Sequence, residues 1–390
     1  MSSSTTIGNY EVISKLATGG MGEVFLANQR GAGDFSRKVV LKKLHPKFTT
    51  DPSFVTMFLN EARIAASFSH PNIIHIYELF QDGDGYVIAM EYVRGASVLS
   101  LLRGRHRLGH SGLPYGQIAR IATAVCEALH YAYTAPDADG LPFHVIHRDV
   151  SPSNVLVGFD GQVKLVDFGI AKMVEREGVT QATTIKGKYG YLTPEQIRCH
   201  PLDQRSDLFS LGTMLWEMSV GERLFQRDNE MQMMYAILEE RIPLPSERAK
   251  DYPKDLEQIV MRALARKRDE RYPDAAMLAH ELRECARANG WDTEGASLAS
   301  LAREVLPQDQ IAFGRIGSDS FSGSAERRRD KHTGTWVDDD SFASLVVMDS
   351  DLARPVTQRR RGLTGSTWIT LVAMLIATLA VWLVVGPLLD

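Results

Sequence analysis

His144 to Gly169 reads HVIHRDVSPSNVLVGFDGQVKLVDFG, and the rest of the chain is organised around it. Two short apolar runs, Val155-Leu156-Val157 and Val163-Lys164-Leu165-Val166, are joined by Phe159-Asp160-Gly161-Gln162, a turn of hairpin type. Asp149 and Asn154 stand at the entrance of this hairpin and Asp167 at its exit, so two carboxylates and a carboxamide come close together. Such oxygen donors suit Mg²⁺ better than zinc. Asp167-Phe168-Gly169 alone occurs by chance. Its pairing with His147-Arg148-Asp149, 18 residues earlier from Asp to Asp, is a far stronger signal than a solvated hairpin with incidental acids.

Upstream, Tyr10 to Leu16 is strand-like and leads into Ala17-Thr18-Gly19-Gly20-Met21-Gly22-Glu23-Val24. Glycines in such a turn let backbone N–H groups approach phosphate oxygens with no side chain between them. A strand follows the turn rather than a helix, which implies neither a Walker loop nor a dinucleotide fold. Val39 to Lys42 is a strand ending in lysine, with Lys43 on the opposite face. Asp51-Pro52 reads as the cap and first-turn proline of a helix. Phe54, Phe58, Glu61 and Ala65 then recur at helical spacing, which puts Glu61 on the inward face. An inward carboxylate needs a cation, and Lys42 is its natural partner. Strands are expected at Ile73–Phe80 and Tyr86–Glu91, joined by an Asp-Gly turn. Pro114–Tyr133 is expected to be helical, with a core stripe of Ile118, Ile121, Val125, Leu129 and Ala132.

These segments together resemble the protein kinase family, which pairs H-R-D-x-x-x-x-N with D-F-G. Within it, residues 8 to 287 look like the bacterial eukaryotic-like (Hanks-type) serine/threonine kinases. The resemblance implies an α+β, two-lobed fold: a β-rich N-lobe over about 8–92 and a mainly helical C-lobe over about 93–287. It implies that Gly19, Gly20, Gly22 and Val24 cover the phosphates of ATP, with Ala17 where the family has its first glycine. Lys42 would hold the α- and β-phosphates and pair with Glu61. Met90 would be the gatekeeper, and Glu91 to Val93 the hinge that meets adenine through backbone groups. Asp149 would accept or orient the proton of the incoming hydroxyl, while Asn154 and Asp167 hold Mg²⁺, or Mn²⁺ in its place. Glu195 and Arg271 resemble the buried structural ion pair, and Asp207 the anchor of the catalytic-loop backbone. Arg148 would pair with a phosphate added to Thr180, Thr183 or Thr184, ordering that segment, in trans if two copies of the chain meet.

The chain departs from the pattern at two positions. Ser151 stands where most serine/threonine kinases have lysine, and Lys188, in Gly187-Lys188-Tyr189-Gly190-Tyr191-Leu192-Thr193-Pro194-Glu195, stands where they have threonine. The expectation is a compensating swap, in which Lys188 reaches the γ-phosphate and Ser151 supports it. The alternative is a pseudokinase, a nucleotide-binding scaffold. Intact Lys42, Glu61, Asp149, Asn154 and Asp167 argue for the enzyme, because a scaffold needs no proton acceptor with two metal ligands. A small-molecule phosphotransferase would not need the threonine-bearing segment before Glu195. The tyrosine-kinase catalytic-loop pattern is absent.

The 390 residues allow two to three domains, and 44% hydrophobic with 24% charged content is ordinary for a globular protein. A net charge of −4 gives no global signal for nucleic acid. Cys126, Cys199 and Cys285 are widely spaced and fit a reducing compartment, each read as a small packed residue. MSSSTTIGNY shows no signal-peptide pattern. After the kinase-like region a short helical extension is expected over 288–312, with Ala296–Val305 amphipathic, and then a flexible juxtamembrane linker over 313–366. A transmembrane helix is expected over 367–389: Trp368–Leu389 is almost wholly apolar and would span ~33 Å. Arg359-Arg360-Arg361 just before it would keep the kinase-like region on the cytoplasmic side of the inner membrane, in single-pass topology. The expected partners are thus ATP, protein substrates, the membrane and a second copy of the chain, not nucleic acid.

Overall fold

The computed structural model describes residues 5–306 apart from 19–21, 34, 51, 138 and 169–188. Gly19, Gly20, Thr180, Thr183, Thr184, Lys188, the linker at 313–366 and the apolar segment at 367–389 therefore lie outside the described residues. Among the described residues no helix is long and apolar enough to cross a membrane.

The N-terminal half runs β1 (Thr6–Ile7), β2 (Tyr10–Thr18), β3 (Gly22–Arg30), β4 (Ser36–Leu44), α1 (Pro46–Thr49), α2 (Pro52–Ser67), β5 (Ile76–Asp82) and β6 (Gly85–Glu91). The strands form an antiparallel sheet in the order β1-β2-β3-β4-β6-β5. Strand period decides the faces. Val39 and Leu41 of β4 pack with Tyr10, Ala27, Val87 and Ala89 on one side. Val40, with Val24, Ile88 and Met90, packs on the other side against Phe58, Ala62 and Ala65 of α2. Lys42 has the parity of Val40, opposite Val24 on β3 and Ile88 on β6.

The C-terminal half continues with β7 (Gly95–Ser97), α3 (Val98–Arg107), α4 (Tyr115–Thr134), β8 (Val155–Gly158) and β9 (Val163–Leu165), then α5 (Pro194–Ile197), α6 (Gln204–Val220), α7 (Glu230–Leu238), α8 (Lys254–Ala263), α9 (Ala275–Ala288) and α10 (Gly295–Val305). A small sheet, β7-β8-β9, sits on the helices. Gly95 is required there: a Cβ would lie 1.9 Å from the Val157 carbonyl oxygen. α6 is buried on every side from Ser206 to Val220 and forms the centre of the lobe. Asp203 caps its start by accepting from Arg205 N, and Gly221, with φ of 84°, ends it.

Two expectations are corrected. The strand expected from Ile73 begins at Ile76, because Ile73 bridges Leu165 and Ile74 N donates to Leu165 O, docking that segment onto the catalytic hairpin instead. Cys126 and Cys285 are packed, but Cys199 is exposed, at a left-handed position (φ 53°) just after α5. The helix expected at Ala296–Val305 is α10, and its apolar side is buried in the core of the helical lobe.

Candidate active site

The catalytic-loop region is held from below by Asp207. As an acidic residue in the first turn of the buried α6, it accepts from His147 N and Arg148 N, both at 2.7 Å. Burial pushes its carboxyl up to about 7, against the pull of those two N–H groups and the Arg148 charge. The His147 ring is fully buried, packs tilted against Phe168 at 4.6 Å between ring centres and lies 3.0 Å from Val166 O through Nε2, which ties the loop to the segment after β9. Arg148 and Asp167 both adopt left-handed backbone (φ 65° and 55°). Such strain in non-glycine residues concentrates where a chain must aim particular groups.

Those groups are Asp149, Asn154, Asp167 and Lys42. Asn154 is fully buried at the entrance of β8, and Val166 N donates to its carbonyl at 2.9 Å, so the two ends of the hairpin are locked together. Its Nδ2 donates to Asp149 O and Asp149 Oδ2, both at 2.8 Å. That fixes Asp149 and turns Asn154 Oδ1 the other way, where it is buried with no hydrogen-bond partner among the described residues. An orphaned buried oxygen costs about 1–3 kcal/mol unless something binds it. Asp167 accepts from Lys42 Nζ at 2.7 Å, an interlobe ion pair between residues 125 apart in sequence. The donor set of Asn154 Oδ1 and Asp167 fits a hard divalent cation. Mg²⁺ characteristically takes one or two protein oxygens and completes its shell with phosphate and water. Among the described residues no group of three or more His, Cys, Asp or Glu could hold a metal by itself.

Beside this polar corner an apolar cluster joins the two lobes. Ala17, Val24, Val40, Met90 and Val93 from the N-terminal side share one cluster with Leu156 and Val166 from the hairpin. Leu156, Val40 and Val166 were not singled out from sequence. Strand period could have found Leu156: Val155 and Val157 are fully buried in the helical lobe, so Leu156 between them faces the other way, into the cluster shared with the N-terminal side. Glu91, whose backbone was expected to meet adenine, uses its side chain at the rear: it pairs with Lys164 at 2.9 Å and accepts from His75 N. Glu61 lies in α2 between Phe58 and Ala65, and its side chain lies outside what the structure describes.

Arg271 and Glu195 form a two-pronged buried pair at 2.7 and 2.9 Å, and Ser206 Oγ donates to the same carboxylate. Desolvation pushes the Glu195 carboxyl up, but Arg271 and Ser206 outweigh it and hold the pKa below the ordinary value. Thr193 and Gln196 form a capping box on α5, and Gln196 Nε2 donates to Arg148 O, joining this region to the catalytic loop. Arg148 keeps Nε and Nη1 buried without partners among the described residues, and burial lowers its pKa. Ser151 is buried, with its hydroxyl 2.9 Å from that of Ser153. A further network went unread in the sequence: Tyr191 donates to the buried Glu217, and Arg223 lies against both. No local pattern marks it, since its members come from three separate segments.

The protein kinase domain family model matches residues 10–282. Tyrosine-protein kinase MasK of Myxococcus xanthus is 42% identical over 276 residues, covering 70% of this chain and 42% of that protein. Serine/threonine-protein kinase PknB of Mycobacterium leprae is 36% identical over 338 residues, covering 84% of this chain and 51% of that one. The chain thus spans about half or less of these curated relatives. The crystal structure of the Mycobacterium tuberculosis PknI kinase domain superposes with a TM-score of 0.56 at 27% identity, covering 73% of this chain and 100% of that one. With its two lobes, its Asp149–Asn154–Asp167–Lys42 constellation and a family match over most of its length, this chain belongs to the protein kinase family.

Proposed function

We propose that the chain is a serine/threonine protein kinase that transfers the γ-phosphoryl group of ATP to protein hydroxyls in bacterial signalling. The observation that carries this is the arrangement of Asn154, whose amide positions Asp149 while its free oxygen and Asp167 present a metal-binding pair. Adenine packs among Ala17, Val24, Met90 and Leu156, and Lys42 reaches the phosphates. A bound Mg²⁺ supplies charge neutralisation of the phosphates. Asp149, held by Asn154, orients the acceptor hydroxyl and takes its proton. Phosphoryl transfer needs positioning and charge stabilisation more than covalent chemistry, so this small set suffices.

In this reading Lys188 supplies an ammonium to the γ-phosphate, and Ser151, at the position where the family has lysine, supports it. Arg148, whose Nε and Nη1 have no partner among the described residues, receives a phosphate added at Thr180, Thr183 or Thr184, by a second copy acting in trans. The apolar 367–389 segment tethers the kinase to the cytoplasmic face of the inner membrane, tested by whether deleting it releases the protein from sedimented membranes. A second reading of the acceptor rests on MasK, which is named a tyrosine kinase. Incubation with ATP and Mg²⁺ followed by mapping of the phosphorylated residues separates them. Phosphoserine and phosphothreonine are expected; phosphotyrosine alone would overturn the acceptor assignment, and absence of transfer would favour a pseudokinase.

A further inference from the structure

The family match ends at residue 282 and α9 at Ala288, yet the described residues continue to Leu306. The added stretch lies directly on the helical lobe. The Trp291 ring packs 5.2 Å from that of Tyr115, and Leu298, Ala302 and Val305 are buried in the lobe's core. Contact is backbone to backbone in places: a Cβ at Gly116 or at Gly161 would come within 2.0 Å of the carbonyl oxygens of Asp292 and Gly295. Simple burial would explain a stabilising extension, and Gln117 Nε2 on α4 donates to Asp292 O at 3.0 Å, but two arginines direct their contacts to one feature, the turn between β8 and β9. Arg120 on α4 donates through Nη1 to Thr293 O (3.1 Å) and through Nη2 to Gly161 O (3.2 Å), joining the added stretch to the turn. Arg303 on α10 donates to Phe159 O. On its other side, Phe159 N donates to Arg94 O at 2.9 Å, just past the hinge.

We propose that residues 291–306 form a strap that braces the hairpin carrying Asn154 and Asp167, with Arg120 and Arg303 as positioning residues for the metal ligands. The inference rests on the reading of Asn154 and Asp167 as those ligands. β8 and β9 are only 4 and 3 residues long. Movement of the turn therefore passes directly to the ligand ends, which are themselves coupled by the bond from Val166 N to Asn154 O. Two guanidinium groups on the turn's carbonyls hold it in register, and with it the two ends that carry Asn154 and Asp167.

The test uses the detergent-solubilised full chain, a non-hydrolysable ATP analogue and a Mg²⁺ titration of nucleotide binding, for the parent and for Arg120→Met/Arg303→Met. Groups that directly support metal ligands are worth about tenfold to a hundredfold in metal affinity. One step further out, about a threefold to tenfold rise in the Mg²⁺ concentration for half-maximal binding is expected. Metal-free nucleotide affinity and melting temperature should stay essentially unchanged, and Arg303→Lys should retain most of the parent's behaviour. An unchanged Mg²⁺ dependence would overturn the proposal, as would equal loss of metal-free and metal-dependent binding. If Mg²⁺ has no effect on nucleotide binding by the parent, the metal reading itself fails and the strap's role with it. Should the double variant not fold, Arg303→Met alone carries the test by the same criteria, because its side chain is exposed.

Discussion

Arg271→Met removes one partner of the most deeply buried ion pair and keeps most of the side-chain volume. In the parent, Arg271 gives Glu195 two hydrogen bonds and also donates to the carbonyls of Ala265, Arg205 and Arg266. The variant would leave a carboxylate that is 3% exposed without its cation, together with three carbonyls that lose a donor. Breaking a buried pair from one side costs about 3–5 kcal/mol. At about 2–4 °C per kcal/mol for a domain of this size, the melting temperature should fall by roughly 6–20 °C. Calorimetry at neutral pH reads this directly, and pH checks the cause. In the parent, Glu195 has a folded pKa below its ordinary 4.5, so its stabilisation is fully present above that value and is lost as pH falls through the folded pKa. In the variant the Arg271 contribution is gone and only the Ser206 hydroxyl and a backbone bond still oppose burial, so that pKa rises, acidification lets the carboxyl take a proton, and the gap between the two proteins should narrow. Glu195→Gln in the Arg271→Met background should recover part of the loss. A drop of less than about 2 °C, or a double variant with fully additive losses, would refute the reasoning.

Lys42→Met should lower phosphoryl transfer by about 10²–10³-fold in steady-state kinetics, with the fold intact, since a partly exposed interlobe pair is lost rather than a buried one. Asn154→Ala should abolish the Mg²⁺ enhancement of nucleotide binding and free Asp149; titration with and without Mg²⁺ would show it, and a retained Mg²⁺ effect would exclude Asn154 as a ligand. Asp207 holds a proton in the folded state up to about pH 7 that the unfolded chain releases near 3.8. Its contribution to stability therefore declines as pH rises through that window, and Asp207→Asn should flatten this slope in melting curves recorded from pH 4 to 7.

Much of the site was legible because its signals are local. Asp149, Asn154 and Asp167 lie on one hairpin, and the 26 residues from His144 to Gly169 contain the spacing, the turn and both strands. Lys42 was legible from the end of an apolar strand, and the interior position of α2 from the spacing of Phe58 and Ala65. What escaped depended on tertiary contact. Ile73 and Ile74 carry strand-forming side chains but bond to Leu165 on the hairpin, a competition no local propensity reveals. The three-residue β7 is too short for a period, and Gly95 within it signals only a close backbone approach. The Arg271–Glu195 pair, 76 residues apart, was legible only through family resemblance, and Tyr191–Glu217–Arg223 not even so. α10 was expected from its apolar spacing, but nothing in that spacing says that Arg303 and Arg120 meet the hairpin turn.

The most direct test of the central claim is the intact mass of the full chain after incubation with ATP and Mg²⁺, beside Asp149→Asn. The account predicts that the parent gains whole phosphate masses and the variant gains none, while both bind nucleotide. Equal phosphate gain in both would show that Asp149 does not serve the acceptor hydroxyl. No gain in either, with nucleotide still raising the melting temperature, would contradict the assignment of a working kinase.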